Sequence, residues 1–221
     1  MTIAAIEAAI ANADAAVVRP PGGPVPPTVA ATPQPRSPAP GGRIAHRSPS
    51  ADQAAVALVF AGSDADLRLC FIRRATHPRD PWSGQMALPG GRAAPADASL
   101  CAAAVRETRE EVGLTLAGAR YLGALPPIPM VRAGRPINGS VAPFAFCLEG
   151  EPPVLTVDPA EVAAAYWIAV RHLRDPDQRT VLPLTRSGVT RRLPAVRFRR
   201  HLIWGMTYRI VTPLLDRAAS M

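Results

Sequence analysis

Arg106, Glu107, Glu110 and Glu111 fall within six consecutive positions. On an α-helix each residue advances about 100°, so the three carboxylates lie within an arc of about 100°, close enough to share one ion. Carboxylates crowded in this way repel one another in water, and a divalent cation placed among them relieves the repulsion. Their hard oxygens suit Mg²⁺ or Mn²⁺, and Mg²⁺ keeps waters and bridges readily to phosphate oxygens. The Gly90-Gly91 pair upstream lets backbone approach such an ion, or a phosphate, with no Cβ in the way. Glu110-Glu111 alone would be read as a solvated acidic face. The whole constellation would instead suit a divalent cation that bridges to phosphate oxygens.

These residues need a helix to align them and a scaffold to hold the glycine turn. The spacing predicts a helix over Asp97–Glu111, with Asp97 or Ser99 capping its start and Gly113 closing it. Upstream, Ala54–Phe60 and Leu67–Arg73 are β-type runs joined by Gly62-Ser63-Asp64, the pattern of a hairpin. A polar loop, Thr76–Gly84, leads to Leu88-Pro89-Gly90-Gly91. Further strands are expected at Ala119–Leu125, Val141–Leu148 and Tyr166–Val170, and around Val181 and Val196. A helix over Gly205–Arg217 ends the chain, with Pro213 set to kink it or start a new segment. The order strands, helix, strands, helix implies an α/β fold, a mixed sheet with helices on its faces.

The segment from Gly91 to Leu114 resembles the Nudix box, G-x5-E-x7-R-E-U-x-E-E-x-G-U with U aliphatic. Arg106, Glu107, Glu110, Glu111, Gly113 and Leu114 match its second half position for position. The stretch from Gly91 to Arg106 is one residue longer than the general pattern. Asp97 stands where the pattern has Glu, and Thr108 where it has an aliphatic residue. Asp97, distant from the carboxylate cluster along the chain, is expected to have no catalytic role. The longer form, with Arg74 through Gly91 before it, is similar to the coenzyme A pyrophosphatase branch of the family, although Leu88 stands where that branch usually carries Phe. The resemblance covers about Gln53 to Arg217. It implies a Nudix-type α/β/α sandwich with a loop-helix-loop catalytic motif. It also implies Glu110 and Glu111 as metal ligands, helped by a carbonyl near Gly90 or Gly91, Glu107 as a further ligand or the general base on the attacking water, and Arg106 as the group orienting Glu107. The substrate would be a small nucleotide-type diphosphate, coenzyme A or a derivative, cut to 3′,5′-ADP and 4′-phosphopantetheine; ADP-ribose or another nucleoside diphosphate derivative is the alternative. Arg74, Arg79, Arg132 and Arg135, in loops near the box or between strands, are the candidates for contacting an extra phosphate. A non-catalytic nucleotide-binding regulator is disfavoured, because all three box glutamates and Arg106 are retained. Homodimers are common among such enzymes, and no residue pattern here specifies one.

Other residues leave alternatives open. Glu161 could add a carboxylate from a neighbouring loop or cap a short helix or turn. Trp82, Trp204 and Tyr208 could cover a nucleotide or pack in the core. His46, His77, His172 and His201 show no paired spacing, and only His77, in the loop before the box, merits testing as a proton donor. Cys70, Cys101 and Cys147 are odd in number and lack metal-type spacing, which reads as reduced thiols of a cytoplasmic protein.

The 221 residues divide by composition into a helical extension over 1–18, a proline-rich linker over 19–50 and a catalytic domain over 51–221. Ten of the 26 prolines lie between Arg19 and Pro49, a density that regular structure does not tolerate. All 25 basic side chains are arginine and the formal net charge is +8, which favours anionic ligands without choosing among them. Aromatic residues are only 5 %, too few for a dedicated nucleic-acid platform. No apolar run approaches the roughly 18 residues that span a bilayer. Glu7 and Asp14, with no basic residue before Arg19, do not fit a secretory or transit leader.

Overall fold

The computed structural model describes residues 1–13, 52–78, 80, 82–132, 135–186 and 188–221. The proline-rich linker therefore lies outside the described residues. The chain begins with helix α1 (Ile3–Ala11), capped by the Thr2 hydroxyl, which accepts from the Ala5 amide at 3.1 Å.

The first hairpin comprises β1 (Gln53–Ala61) and β2 (Arg68–Arg74), paired antiparallel through Phe60 and Leu69. Gly62 makes the turn at φ +96°, where a Cβ would stand 2.5 Å from the Asp66 carbonyl oxygen. Two short strands follow, β3 (Met86–Ala87) on β2 and β4 (Gly90–Arg92) on β1. Helix α2 (Leu100–Val112) comes next, capped by Ser99, whose hydroxyl accepts from the Ala102 amide, and stopped by Gly113 at φ +70°. Ser99 is thus the N-cap, and Asp97 stands outside the helix.

The sheet continues with β5 (Arg120–Ala124), β6 (Ile128–Arg132), β7 (Arg135–Cys147) and β8 (Val162–Ala169). β7 lies parallel to β1 from Gln53↔Ser140 to Phe60↔Cys147, while β5 and β6 run antiparallel to β7 and β8 antiparallel to β2. The sheet is therefore mixed but mostly antiparallel. Short helix α3 (Val170–Arg174) leads to a second sheet of β9 (Arg179–Arg186), β10 (Val189–Phe198) and β11 (His201–Trp204), ordered β11-β10-β9. Helix α4 (Gly205–Ala219) closes the fold. It runs through Pro213, so no new segment begins there; the proline's missing amide removes the helical hydrogen bond to the Arg209 carbonyl.

β1 is apolar along most of its length because both its faces are covered. Ala55, Ala57 and Val59, with Cys70 and Ile72 of β2, pack under Ala103, Ala104 and Val112 of α2. Leu58, Phe60, Leu69 and Phe71 pack on the other face against Ile210, Leu214 and Leu215 of α4, with Ile6 and Ile10 of α1. Helices on both faces make the sandwich expected from the sequence. Val170, expected to end a strand, instead opens α3, and β3, β4, β6 and β11 are strands that the pattern did not announce. Among the described residues no helix is long and apolar enough to cross a membrane.

Candidate active site

α2 lies over β1 and β4 with Glu107 and Glu111 turned toward the glycine strand. Gly90 sits at φ +147° against β1, where a Cβ would stand 2.2 Å from the Ala55 carbonyl oxygen. The Ala57 amide holds the turn from below by donating to the Pro89 carbonyl at 2.8 Å. Gly91 makes room for the helix: a Cβ there would stand 2.5 Å from Cδ of Glu107 and 2.6 Å from both carboxylate oxygens. The Gly90 amide donates to Oε2 of Glu111 at 2.8 Å. One glycine therefore admits a carboxylate and its neighbour fixes another.

Glu111 is 2 % exposed. Burial pushes its carboxyl up to about 8, against the Gly90 hydrogen bond and the Arg74 charge, with Glu107 and Glu161 adding repulsion. Glu107 is raised as well, by burial first, with Arg106 opposing. Burial and the Glu111 charge also raise the Cys70 thiol beneath. The site is thus a buried negative pocket that favours protons or cations.

A third carboxylate arrives from the loop that caps α2. The amides of Thr156 and Asp158 donate to the carbonyls of Val112 and Glu111, at 3.0 and 3.2 Å, satisfying the helix end. Asp158 then turns the chain, accepting from Ala160 with its side chain and from Glu161 and Val162 with its carbonyl. The Ala75 amide pins the turn to the end of β2 by donating to the Glu161 carbonyl at 2.8 Å. As a result one oxygen each of Glu107, Glu111 and Glu161 lie within 4.8 Å of one another. Asp158, not Glu161, is the side chain that organises this turn.

Glu110 points elsewhere. It lies one turn after Arg106 and accepts from Nη1 of that residue at 2.8 Å, with its side chain 50 % exposed. It stands outside the close triad and would reach it only through a change of rotamer. Arg106 has every arm engaged: Nε and Nη2 donate to the two oxygens of Asp97 at 2.9 Å, Nη1 also reaches Oε1 of Glu107 at 2.8 Å, and Nη2 reaches the Arg92 carbonyl. Asp97, which sequence reasoning set aside, is the buried acceptor that aims this guanidinium. Its carboxyl is held below the usual range by Arg106, against burial, with the Ala94 amide helping. Its place at the acidic position of the motif was the available signal. Thr108 is fully buried, and its hydroxyl returns to the Ala104 carbonyl at 2.7 Å, so it fills an aliphatic position without a stranded polar group.

The remaining candidates are dispersed. Arg74 donates from Nε and Nη2 to Oδ2 of Asp80, at 3.0 and 2.7 Å, and its charge is felt at Glu111. Asp80 also accepts from the Trp82 amide, which places Trp82 at the rim, 42 % exposed. Arg79 lies outside the described residues. Arg132 ends β6 and Arg135 begins β7, and their side chains are likewise outside the described set. Trp204 precedes α4, and Tyr208 packs at the edge of the core with its hydroxyl accepting from Arg179 at 3.2 Å. His77 lies in the loop before the glycines, its backbone bonded to Ser83. His172 and His201 lie beside Phe198 and Tyr166, in ring contacts that the carboxylate triad does not share, and His46 lies outside the described residues.

The model of the NUDIX domain matches residues 51–186. The chain is 31 % identical over 174 residues, 78 % of its length and 85 % of the relative's, to a Salmonella heidelberg protein named uncharacterized Nudix hydrolase NudL. It is 33 % identical over 141 residues, 61 % of its length and 69 % of the relative's, to a protein of the same name from Photorhabdus laumondii. Solved structures that resemble it include a C. elegans Ap4A hydrolase, at 19 % identity, covering 54 % of this chain and 80 % of that one with a TM-score of 0.44. Another is the NUDIX domain of Shewanella oneidensis NrtR in complex with ADP ribose, at 18 % identity, covering 57 % and 77 % with a TM-score of 0.43. The family match over most of the folded body and the identity to the two curated relatives place the chain among the Nudix hydrolases.

Proposed function

We propose that this Nudix hydrolase cuts the diphosphate of coenzyme A or its derivatives, giving 3′,5′-ADP and 4′-phosphopantetheine, with Mg²⁺ or Mn²⁺ as cofactor. The observation that carries the chemistry is the carboxylate triad facing the Gly90-Gly91 strand. Three hard oxygen donors, one buried with a raised pKa and only Glu107 ion-paired, to Arg106, among the described residues, fit a divalent ion. Glu107, Glu111 and Glu161 would hold it, Glu110 would add a fourth carboxylate on rotation, and the Gly91 carbonyl would approach it from the strand. A bound cation there would neutralise phosphate charge, position the diphosphate and lower the pKa of a water.

The protein's own groups set the geometry for that reaction. Arg106, fixed by Asp97, holds Glu107 in one orientation and favours its ionised form. Glu107 is then placed to ligate the metal or to take a proton from the attacking water. Arg74, beside Glu111, is the described arginine best placed to meet the substrate's phosphates, with Arg79, Arg132 and Arg135 as the further candidates. The coenzyme A reading rests on the Arg74–Gly91 segment that resembles that branch of the family. The helical extension, linker and catalytic domain divide at 18 and 50 on composition, and a cytoplasmic setting follows from the thiols and the substrate class.

Purified protein is to be incubated with Mg²⁺ and then Mn²⁺ on coenzyme A, ADP-ribose and a nucleoside triphosphate, with Glu107→Gln as control. Release of 3′,5′-ADP from coenzyme A by the wild type alone supports both mechanism and substrate. Cleavage of ADP-ribose instead keeps the mechanism and replaces the substrate. No cleavage with either metal overturns the catalytic reading.

A further inference from the structure

Arg73 and Arg74 are neighbours in β2 and leave the sheet on opposite faces. Arg74 turns to the carboxylate side. Arg73 is paired with Met86 of β3 and Ala164 of β8, and it shares its face with Phe71 and Tyr166, which are paired with each other. Its Nε is buried and has no hydrogen-bond partner among the described residues. A buried guanidinium N–H without an acceptor is costly, and such groups call for an explanation.

The surroundings of Arg73 are cationic and aromatic. The guanidinium of Arg199 lies 5.4 Å from the centre of the Tyr166 ring and 5.3 Å from that of Phe198. The His201 ring is 6.3 Å from Tyr166. Arg199 is the one non-glycine residue with positive φ, +54°, among the described residues. Burial, with the charges of Arg73, Arg200 and Arg199, holds the His201 imidazole below its ordinary value, and a neutral imidazole still donates one N–H. Among the described residues, no carboxylate forms an ion pair with Arg73, Arg199 or Arg200. Elsewhere Arg68, Arg74, Arg106, Arg120, Arg171 and Arg179 have acidic partners, while exposed arginines such as Arg109, Arg191 and Arg209 have none among the described residues. Among the unpaired arginines, Arg73 is set apart by its partial burial and unpartnered Nε, and Arg199 by its seat on two aromatic rings.

We propose that Arg73, Arg199 and His201, beside Tyr166, form an anion subsite for a phosphate monoester, on the face of the sheet opposite the catalytic carboxylates. Guanidinium groups fit the two-oxygen edge of a phosphate, and rings beneath Arg199 limit its freedom before binding. Arg200 adds charge at the rim. The phosphate comes either from the substrate itself, as a second phosphate remote from the diphosphate, or from a separate small anion.

Titration calorimetry with inorganic phosphate and with 3′,5′-ADP, without metal, tests the site independently of any hydrolysis. The proteins are wild type, Arg73→Gln, Arg199→Gly and Glu107→Gln, with circular dichroism to confirm folding. Glycine accepts the positive φ at 199, so that variant tests the site even if Arg73→Gln fails to fold. Each arginine variant should weaken binding about tenfold, the scale of one charge-assisted hydrogen bond, and Glu107→Gln should bind as wild type. No phosphate binding by wild type, or wild-type affinity in both arginine variants, overturns the proposal. The source is read from KM values for coenzyme A and its form lacking the 3′-phosphate, an arm that rests on the proposed activity. A rise for coenzyme A alone identifies the substrate's own phosphate, and no selective change identifies a separate anion.

Discussion

Asp97 and Arg106 are joined by two hydrogen bonds of 2.9 Å, Oδ1 to Nε and Oδ2 to Nη2, with the carboxylate 6 % exposed. The same guanidinium uses one of its remaining donors, on Nη1, to hold Glu107. Orientation of the catalytic carboxylate is therefore set from the far side of the arginine, in the loop before the helix.

Asp97→Asn keeps the shape but offers one acceptor and one donor to a fork that needs two acceptors. Activity should fall about tenfold to a hundredfold, as for other groups that orient a metal ligand. The loss should appear in kcat more than in KM, measured at saturating metal. An unchanged kcat would show that Arg106 holds Glu107 in place without the Asp97 carboxylate.

Gly91→Ala puts a methyl 2.5 Å from the Glu107 carboxyl carbon, and Glu107 is held by Arg106 and cannot yield freely. A carboxylate displaced by about 1 Å lowers activity about a hundredfold. Because the obstruction is a side chain, circular dichroism should remain native. Gly90→Ala meets the Ala55 carbonyl oxygen at 2.2 Å and sits at φ +147°, so it should lower Tm strongly as well. Equal stability for the two variants would contradict this division.

Glu111 gives the metal-free protein a pH dependence. Its folded pKa, about 8, lies above the ordinary 4.5, so between those values the folded state binds more protons than the unfolded state. Stability then falls as pH rises through this window. Metal-free Tm should decline from pH 5 to pH 8, and Glu111→Gln should flatten that decline. Mg²⁺ should raise Tm most at the alkaline end, where the carboxylate is ionised. A Tm that rises with pH in this range, equally in both proteins, would refute the assignment.

Glu161 is exposed, and its position comes from backbone bonds that its side chain does not make. Glu161→Gln should leave the unfolding free energy within about 0.5 kcal/mol, as exposed substitutions do. It should nevertheless weaken Mn²⁺ binding, read by titration calorimetry. Wild-type affinity in this variant would remove Glu161 from the ion site.

The sequence by itself determined the catalytic helix, because the 100° advance per residue is local geometry and places Glu107 beside Glu111 in any helix. It determined the glycine turn, since a pair of residues without Cβ announces close approach, and it determined the hairpin of β1 and β2, where turn residues from Gly62 join two apolar runs; that β1 pairs mainly with β7 and β2 with β8 came only with the tertiary structure. Only the tertiary structure decided which acids gather. Glu161 lies 50 residues after Glu111 and reaches it because the loop carrying it satisfies the end of α2. Glu110 leaves the triad because Arg106 lies one turn away with an unspent donor. Asp97 looked remote along the chain, yet the path from β4 into α2 folds it back onto the arginine. The short strands β3, β4 and β11 carry too few residues for a periodicity, and neighbouring backbone supplies the hydrogen bonds that define them. Residue type and spacing thus specify what one helix or turn can present. Which groups from separate elements meet depends on long-range backbone pairing, which the chain acquires only on folding.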